Sequence, residues 1–280
     1  MSTFGILGAG GMGAALAERL TGCGARVVTL LDGRSESSRQ RAAAAGMTDD
    51  GTAGLLESDL ILSVVPPDQA LPLARQIAPV LASSAWKPVY VDCNAISPQL
   101  GAQVETAIVA SGARYADGGI IGAPPRTGDA GPTIYVSGPH AAKVAELRNF
   151  GVQIAVLDAP NGAASALKMS YAGITKGLIA LATTMALAAE RAGVADALRA
   201  ELKRSQPNLA ASFAKSVPDM LGKARRWVPE MHEIAAFVGT RHPEAAAYEA
   251  FAGLYANIAQ EDEATLAVLR QLYGTNGPTG

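Results

Sequence analysis

The stretch that most constrains this chain of 280 residues is Phe4-Gly5-Ile6-Leu7-Gly8-Ala9-Gly10-Gly11-Met12-Gly13, close to its start. An apolar run of strand type enters Gly-x-Gly-x-x-Gly at Gly8, Gly10 and Gly13. Residues 14–20 then read as helix, with no Pro and no β-branched side chain. Strand, glycine turn and helix in that order form a cradle for a dinucleotide pyrophosphate. The first glycine allows the tight turn, the second lets backbone approach the phosphates, and the third lets helix and strand pack. The helix N-terminus supplies oriented N–H groups. Gly8, Ala9, Gly10, Gly11, Met12 and Gly13 are therefore expected to line a cofactor.

The segments up to residue 160 keep the alternation of strand and helix. A second strand is expected over residues 26–31. Asp32, about twenty residues past the glycine loop, stands where an acid binds the ribose 2′-hydroxyl of NAD. Arg34 and Ser35 come directly after it, and a guanidinium beside a hydroxyl suits a 2′-phosphate. The reading favours NADP over NAD, with Asp32 ending the strand. Residues 38–45 read as a short surface helix carrying Arg39 and Arg41. Residues 59–65 form an apolar strand of the kind covered on both faces, and Val65, Pro66 and Pro67 are expected at its carboxyl end, against the cofactor. Asp68 is expected to cap a helix over 69–81, with Pro72 in its first turn. Residues 89–92 are a further strand, and Ser97-Pro98 opens another helix. Asn94 either meets nicotinamide or substrate, or is a turn asparagine. After a strand over 114–117, residues 118–125 read as a small-residue loop open to a ligand. Arg126 and Thr127 are suited to an anionic substrate. Strands over 132–137 and 152–158 flank a helix over 141–149. Residues 1–160 thus make an α/β domain with a doubly wound sheet of about eight strands.

Residues 161–280 carry no strand signal and are expected to be all helical. Asn161 as N-cap and Gly193 as C′ stop delimit a helix of about thirty residues, nearly 45 Å long. Beyond it lie helical segments broken at Pro207, Pro218, Pro229 and Pro243, and residues 274–280 are expected to be a disordered tail. With 49% hydrophobic and 17% charged residues the chain is globular. A formal net charge of -2 gives no basic field for nucleic acid or an anionic membrane. Residues 177–189 are too short and too rich in Ala and Thr to be expected to span a bilayer. Two cysteines, Cys23 and Cys93, and a fingerprint that leaves no room for a targeting peptide suggest a soluble protein of the reduced cytoplasm. Three scattered histidines give no metal-ligand spacing.

Lys168 stands among small apolar residues in Gly162-Ala163-Ala164-Ser165-Ala166-Leu167-Lys168-Met169-Ser170-Tyr171. Desolvation there lowers a lysine's pKa toward the range where it exchanges a hydroxyl proton; otherwise its head snorkels to water. Tyr171, three residues on, shares that helix face and can join a proton relay. Lys176 is placed at the surface or between domains. Arg225, Arg226, Trp227, Glu230 and His232 either contact substrate, across a subunit interface, or form an exposed cationic face around a core tryptophan.

In order and spacing, residues 8–20, 117–133 and 162–168 resemble the β-hydroxyacid dehydrogenase and 6-phosphogluconate dehydrogenase superfamily. Residues 167–172 and 226–231 resemble a branch of it whose C-terminal domain has no known function. The resemblance implies a Rossmann domain followed by an all-α domain joined by a long helix, an NAD(P) cofactor and a homodimer. It implies Lys168 as catalytic acid/base while hydride passes between nicotinamide and the hydroxyl-bearing carbon. The family's Asp-x-Pro-x-Ser-Gly-Gly loop, which binds the substrate carboxylate, falls on Asp117 to Ala123. Its serine becomes Ile121, Gly122 is kept, and the second glycine becomes Ala123. The family's asparagine after the lysine falls on Tyr171 or Ala172, and its Asp-x-Ser-Thr segment becomes Asp92-Cys93-Asn94-Ala95. These departures argue against 6-phosphogluconate and hydroxyisobutyrate, and for a more apolar pocket. The expected activity is NAD(P)-dependent interconversion of hydroxyl and carbonyl on a small, anionic acid. Imine reduction and non-catalytic sensing of NADP(H) are the alternatives.

Overall fold

Strand residues that are apolar on both faces need helices above and below them, and the chain supplies both. The computed structural model describes residues 1–126, 128–260, 266, 267, 269, 270 and 273. Its first part alternates β1 (Thr3–Leu7), α1 (Gly11–Gly22), β2 (Arg26–Val28), α2 (Glu36–Ala44), β3 (Met47–Thr48), α3 (Gly51–Leu56) and β4 (Leu60–Ser63). Then come α4 (Pro67–Ala82), β5 (Val89–Asp92), α5 (Pro98–Val109), β6 (Arg114–Ile121), β7 (Thr133–Ser137), α6 (Ala141–Val144) and β8 (Gln153–Val156). The eight strands form one sheet in the order β3-β2-β1-β4-β5-β6-β7-β8. Side chains alternate across it. Ile6, Leu62 and Val91 enter one core, and Leu7, Ile61 and Tyr90 the other.

Several expectations need correction. β2 ends at Val28, because Thr29 turns its hydroxyl to the Ile6 carbonyl (2.7 Å). A turn then closes from the Arg34 N–H to the Leu31 carbonyl, with Gly33 at φ +69°. α2 begins earlier than expected, capped by Ser35, whose hydroxyl accepts from the Ser38 N–H. β3 and α3 add to the expected elements, being too short to show a period in the sequence. α4 starts at Pro67 with Pro66 at its N-cap, so Asp68 lies in the first turn and Pro72 inside the helix. Residues 118–121 belong to β6 and not to a loop. They pair antiparallel with β7, from Asp117↔Ser137 to Ile121↔Thr133. No crossover helix separates those strands, and only an antiparallel pair can be joined that directly. The expected helix over 141–149 is the single turn α6, continued as a 3-10 helix from Ala145 to Phe150.

The second part is helical: α7 (Ala163–Arg191), α8 (Ala195–Ser205), α9 (Pro207–Leu221), α10 (Ala224–Val238) and α11 (Ala245–Ile258). Pro207 opens α9, but Pro218 and Pro229 lie inside α9 and α10 and break neither. α7 stops as its sequence predicts. The Gly193 N–H bonds to the Glu190 carbonyl and the Val194 N–H reaches back to Ala189, with Gly193 at φ +71°. Gly173 and Gly177 thin its buried face, where a Cβ on Gly173 would meet Tyr248 Oη at 3.2 Å and Ile234 at 3.3 Å. Length and composition alone would let α7 cross a membrane, contrary to the expectation for residues 177–189; 44% of its most apolar window is buried inside the fold. The chain divides into two compact units, Met1–Met169 and Ser170–Gly280, so the first two turns of α7 go with the sheet. The tail over 274–280 lies outside the described residues.

Candidate active site

The sheet order reverses between β1 and β4, and the loops leaving their carboxyl ends touch. Gly8 has φ +119°, and a Cβ on it would lie 2.3 Å from the Val64 carbonyl oxygen. A Cβ on Gly13 would lie 1.9 Å from the Gly8 carbonyl. Both glycines are therefore demanded by the fold itself. Gly10 is different. Its φ of -73° and ψ of 179° suit any residue, and a Cβ there, as on Gly11, would meet nothing within 4 Å. α1 has no side-chain cap and no acid in its first turn, so its leading N–H groups face outward unneutralised. Open space over a bare helix N-terminus, at the switch point of a parallel sheet, fits a pyrophosphate. Ala9 is buried and Met12 half-buried beside it.

Asp32 is exposed and Arg34 half-buried, two residues apart at the turn after β2. Ser35 spends its hydroxyl on the α2 cap and on Ser37 and Ser38. Sequence reasoning missed Arg41 here. Its Nε donates to the Ala9 carbonyl (2.9 Å) and its Nη2 to Ser38 Oγ (3.0 Å), which ties α2 to the glycine loop. The spacing Ser35-x-x-Ser38-x-x-Arg41 on one helix face was the available signal.

At the ends of β4 and β5, Asn94 acts as a brace. Its Oδ1 accepts from the Val65 N–H (2.7 Å), and its Nδ2 donates to Ser63 Oγ (3.0 Å) and Asp92 Oδ1 (2.7 Å). Asn94 is buried, and these bonds fix the course of Val65 and Pro66; Pro67 is buried as well. Burial pushes the Asp92 carboxyl up to about 7 against bonds from Asn94 that favour its charged form, and the neighbouring Asp117 charge adds to the rise. The Cys93 thiol is likewise raised by burial, which keeps it protonated and inert.

Asp117 is the partner of Asp92 across β5 and β6, and it holds the start of α7. Its carboxylate accepts from the backbone N–H groups of Gly162 (2.9 Å), Ala164 (2.8 Å) and Ser165 (3.1 Å). The hydroxyls of Ser137 and Ser165 complete its shell. The cap expected from Asn161 is thus supplied by another strand, while Asn161 Nδ2 donates to Glu105 (2.7 Å). β6 can lie this close only because of its glycines. A Cβ on Gly119 would sit 2.7 Å from the Ala164 carbonyl and 3.1 Å from Lys168 Cβ. The strand leading to Ile121, Gly122 and Ala123 is therefore in contact with the turn that carries Lys168. Ile121 is half-buried, Gly122 and Ala123 are exposed, and Gly122 has φ +130°. The loop beyond is clamped by Arg19 of α1, which donates to the carbonyls of Arg126, Asp129, Ala130 and Gly151 and pairs with the Asp129 carboxylate (3.2 Å). Arg126 is exposed; Thr127 lies outside the described residues.

The residue pattern of the NAD binding domain of 6-phosphogluconate dehydrogenase matches residues 3–156. This chain belongs to that family. Family membership makes the first unit an NAD(P)-binding domain with a hydroxyacid-dehydrogenase-like fold and the chain an oxidoreductase. A domain of unknown function, DUF1932, matches residues 189–258. An uncharacterised 28.5 kDa protein of Methanothermus fervidus is 30% identical over 215 residues, 76% of this chain and 81% of its own length. Among solved structures, a conserved protein of unknown function, described as similar to 3-hydroxyacid dehydrogenases, is 27% identical with a TM-score of 0.71. The match covers 92% of this chain and 98% of that one. A 3-hydroxyisobutyrate dehydrogenase of Mycobacterium tuberculosis shares the fold at a TM-score of 0.70 and 19% identity, over 97% and 99% of the two chains.

The second unit, by itself, resolves two further expectations. Lys176 is not at the surface but is partnered within its own unit. It pairs with buried Glu230, and its Nζ lies 5.0 Å from the Trp227 ring centroid. Desolvation lowers its pKa, opposed by Glu230. Trp227 is core, packed edge-on to Tyr255 at 5.3 Å, whereas Arg225 and Arg226 are exposed. His232 Nδ1 meets Glu249 at 2.7 Å on the surface. Tyr171 is half exposed on α7.

Proposed function

We propose that this protein is an NADP-preferring dehydrogenase or reductase that interconverts a hydroxyl and a carbonyl on a small β-hydroxy acid. The observation that carries the reading is the contact of Gly119 with the Lys168 turn. It sets the one lysine of that turn beside the strand whose end, Ile121-Gly122-Ala123, would receive the substrate. Gly8 to Gly13 and the α1 N-terminus would hold the pyrophosphate, Val65 and Pro66 would lie against the nicotinamide half, and Arg34 with Ser35 would hold the 2′-phosphate. When bound, the nicotinamide supplies or accepts the hydride.

The chain's own residues do the rest. Lys168 Nζ exchanges the hydroxyl proton as the carbonyl forms or is reduced, and the Tyr171 hydroxyl relays it. Asp117 fixes the first turn of α7, so the backbone below Lys168 cannot fray. Asn94 acts indirectly, by holding Val65. Ile121 in place of a hydroxyl-bearing residue narrows the substrate class to acids with an apolar group near the carboxylate. The test is titration with NADPH and NADH, then a panel of β-hydroxy acids. Lys168→Ala should bind NADPH as the parent does and lose turnover by about 10²–10⁴-fold. Full turnover in that variant removes Lys168 from the mechanism. Turnover only on imines would make the protein an imine reductase, and tight NADPH binding with no turnover on either panel would make it a sensor.

A further inference from the structure

Two carboxyl groups lie side by side in the sheet, Asp92 on β5 and Asp117 on β6, in register and both buried. Their shells differ. Asp117 accepts from three backbone N–H groups and two hydroxyls. Asp92 has only Asn94 on its Oδ1, through the backbone N–H (3.1 Å) and Nδ2 (2.7 Å), and the Tyr115 hydroxyl 3.4 Å from its Oδ2. Adjacent buried carboxylates resist ionising together, and the one with fewer donors keeps a proton. Burial, with the Asp117 charge beside it, accordingly pushes the Asp92 carboxyl up to about 7. The other titratable groups around it are Tyr90 and Cys93 on β5, Tyr115 on β6, Glu105 of α5, whose charge reaches Tyr115, and Lys168 on the α7 turn packed against Gly119. Burial drives both tyrosines and the thiol upward, so none of those three titrates near neutrality.

From Asp92 a continuous path leads to the glycine loop. Asp92 holds the Asn94 amide, Asn94 Oδ1 accepts from the Val65 N–H (2.7 Å), and Val65 Cγ1 would lie 3.1 Å from a Cβ on Gly8. We infer that Asp92 is a positioning residue of the cofactor site: its ionised carboxylate tightens the Asn94–Val65 brace against the glycine loop, and its protonated form slackens it. The inference rests on the reading that Val65 lies against the nicotinamide half. Hydrogen bonds to a carboxylate are roughly twice as strong as those to a neutral acid, so both N–H groups of Asn94 are held harder once the proton leaves. Cofactor binding needs the brace set. Binding and ionisation therefore favour each other, and the Asp92 O–H bond breaks with its proton passing to the buffer. For the oxidised cofactor the charge acts in the same direction, because its nicotinamide ring is cationic.

Calorimetric titration of the full chain with NADP⁺ at pH 7, in two buffers of different ionisation enthalpy, counts the protons released on binding. With the Asp92 proton held about tenfold less tightly in the complex, that group should release about 0.4 proton, and affinity should rise about fivefold from pH 6 to pH 8. Asp92→Asn keeps the acceptor oxygen and the volume but has no proton to give. It should release about 0.4 proton less than the parent and lose the fivefold rise. The cofactor's 2′-phosphate, which titrates near about 6, cancels between the two. Asn94→Ser keeps Asp92 and cuts the bond to Val65. It should bind more weakly and lose the same dependence on pH, and it carries the test if Asp92→Asn does not fold. Equal proton release by the parent and folded Asp92→Asn overturns the inference, as does a fivefold rise retained in Asn94→Ser. Binding that is indifferent to pH in the parent removes Asp92 and leaves the cofactor reading intact. No binding of NADP⁺ or NAD⁺ at any pH sinks both.

Discussion

Two glycine-rich stretches of the first unit look alike in sequence and serve opposite ends. In the turn after β1, Gly10 and Gly11 face empty space, and the backbone at Gly10 would accept any residue. In β6, Gly118 and Gly119 are filled around: a Cβ on Gly118 would meet the Asp92 carbonyl at 3.0 Å and Cys93 Sγ at 3.1 Å, and one on Gly119 the α7 backbone. The first pair leaves room for something outside the chain. The second leaves room for the chain itself. A missing side chain is therefore informative only once its absent volume is located.

The contrast can be broken by adding single methyl groups. The largest effect is expected at Gly13, whose Cβ has only the rigid Gly8 carbonyl to displace. Gly13→Ala should lose about 3 kcal/mol of stability in urea denaturation and all measurable NADPH binding. Gly119→Ala comes next. Moving the Ala164 carbonyl should cost about 1–3 kcal/mol, with NADPH affinity held and turnover reduced because the Lys168 turn is displaced. Equal losses of affinity and turnover would mean that β6 and the glycine loop are not separable. Gly10→Ala should leave stability unchanged within about 0.5 kcal/mol, while NADPH binding weakens about tenfold, or about 1.4 kcal/mol. Unchanged affinity there would show that nothing approaches Gly10.

An effect of another kind, read against pH and not against an added methyl group, concerns Asp92, which lies against Gly118 of the second stretch. Asp92 holds its proton up to about pH 7 in the folded chain, whereas an unfolded aspartate releases it near pH 4. The folded state binds the extra proton between those values. The group's contribution is thus fully present below about pH 4 and is lost as pH rises to about 7, by at most about 1.4 kcal/mol per unit. Asp92→Asn should flatten that slope in denaturation at pH 5 and pH 7.5.

The glycine loop, β4, β5, the Ser97-Pro98 helix start and the stop at Gly193 were legible because each rests on neighbours in sequence. Apolar runs, caps and positive-φ glycines act locally. What escaped depends on distant partners. Residues 118–121 read as a loop because small residues weaken a strand unless something packs on them, and what packs is α7, more than forty residues on. The cap of α7 could not be read from Asn161, since the acceptor is Asp117 in another strand. Lys176 looked like a surface lysine because Glu230 lies 54 residues away. Pro218 and Pro229 looked like breaks because propensity ignores the packing that carries a helix through a proline.

The Arg19 clamp has a consequence for how such a protein can change over generations. Four of its five acceptors are backbone carbonyls, which every residue type provides. The anchorage of the loop after β6 is therefore nearly indifferent to that loop's side chains. Replacements can accumulate along that loop without loosening its seat, so selection is free to rewrite its side chains while inheriting unaltered where it sits.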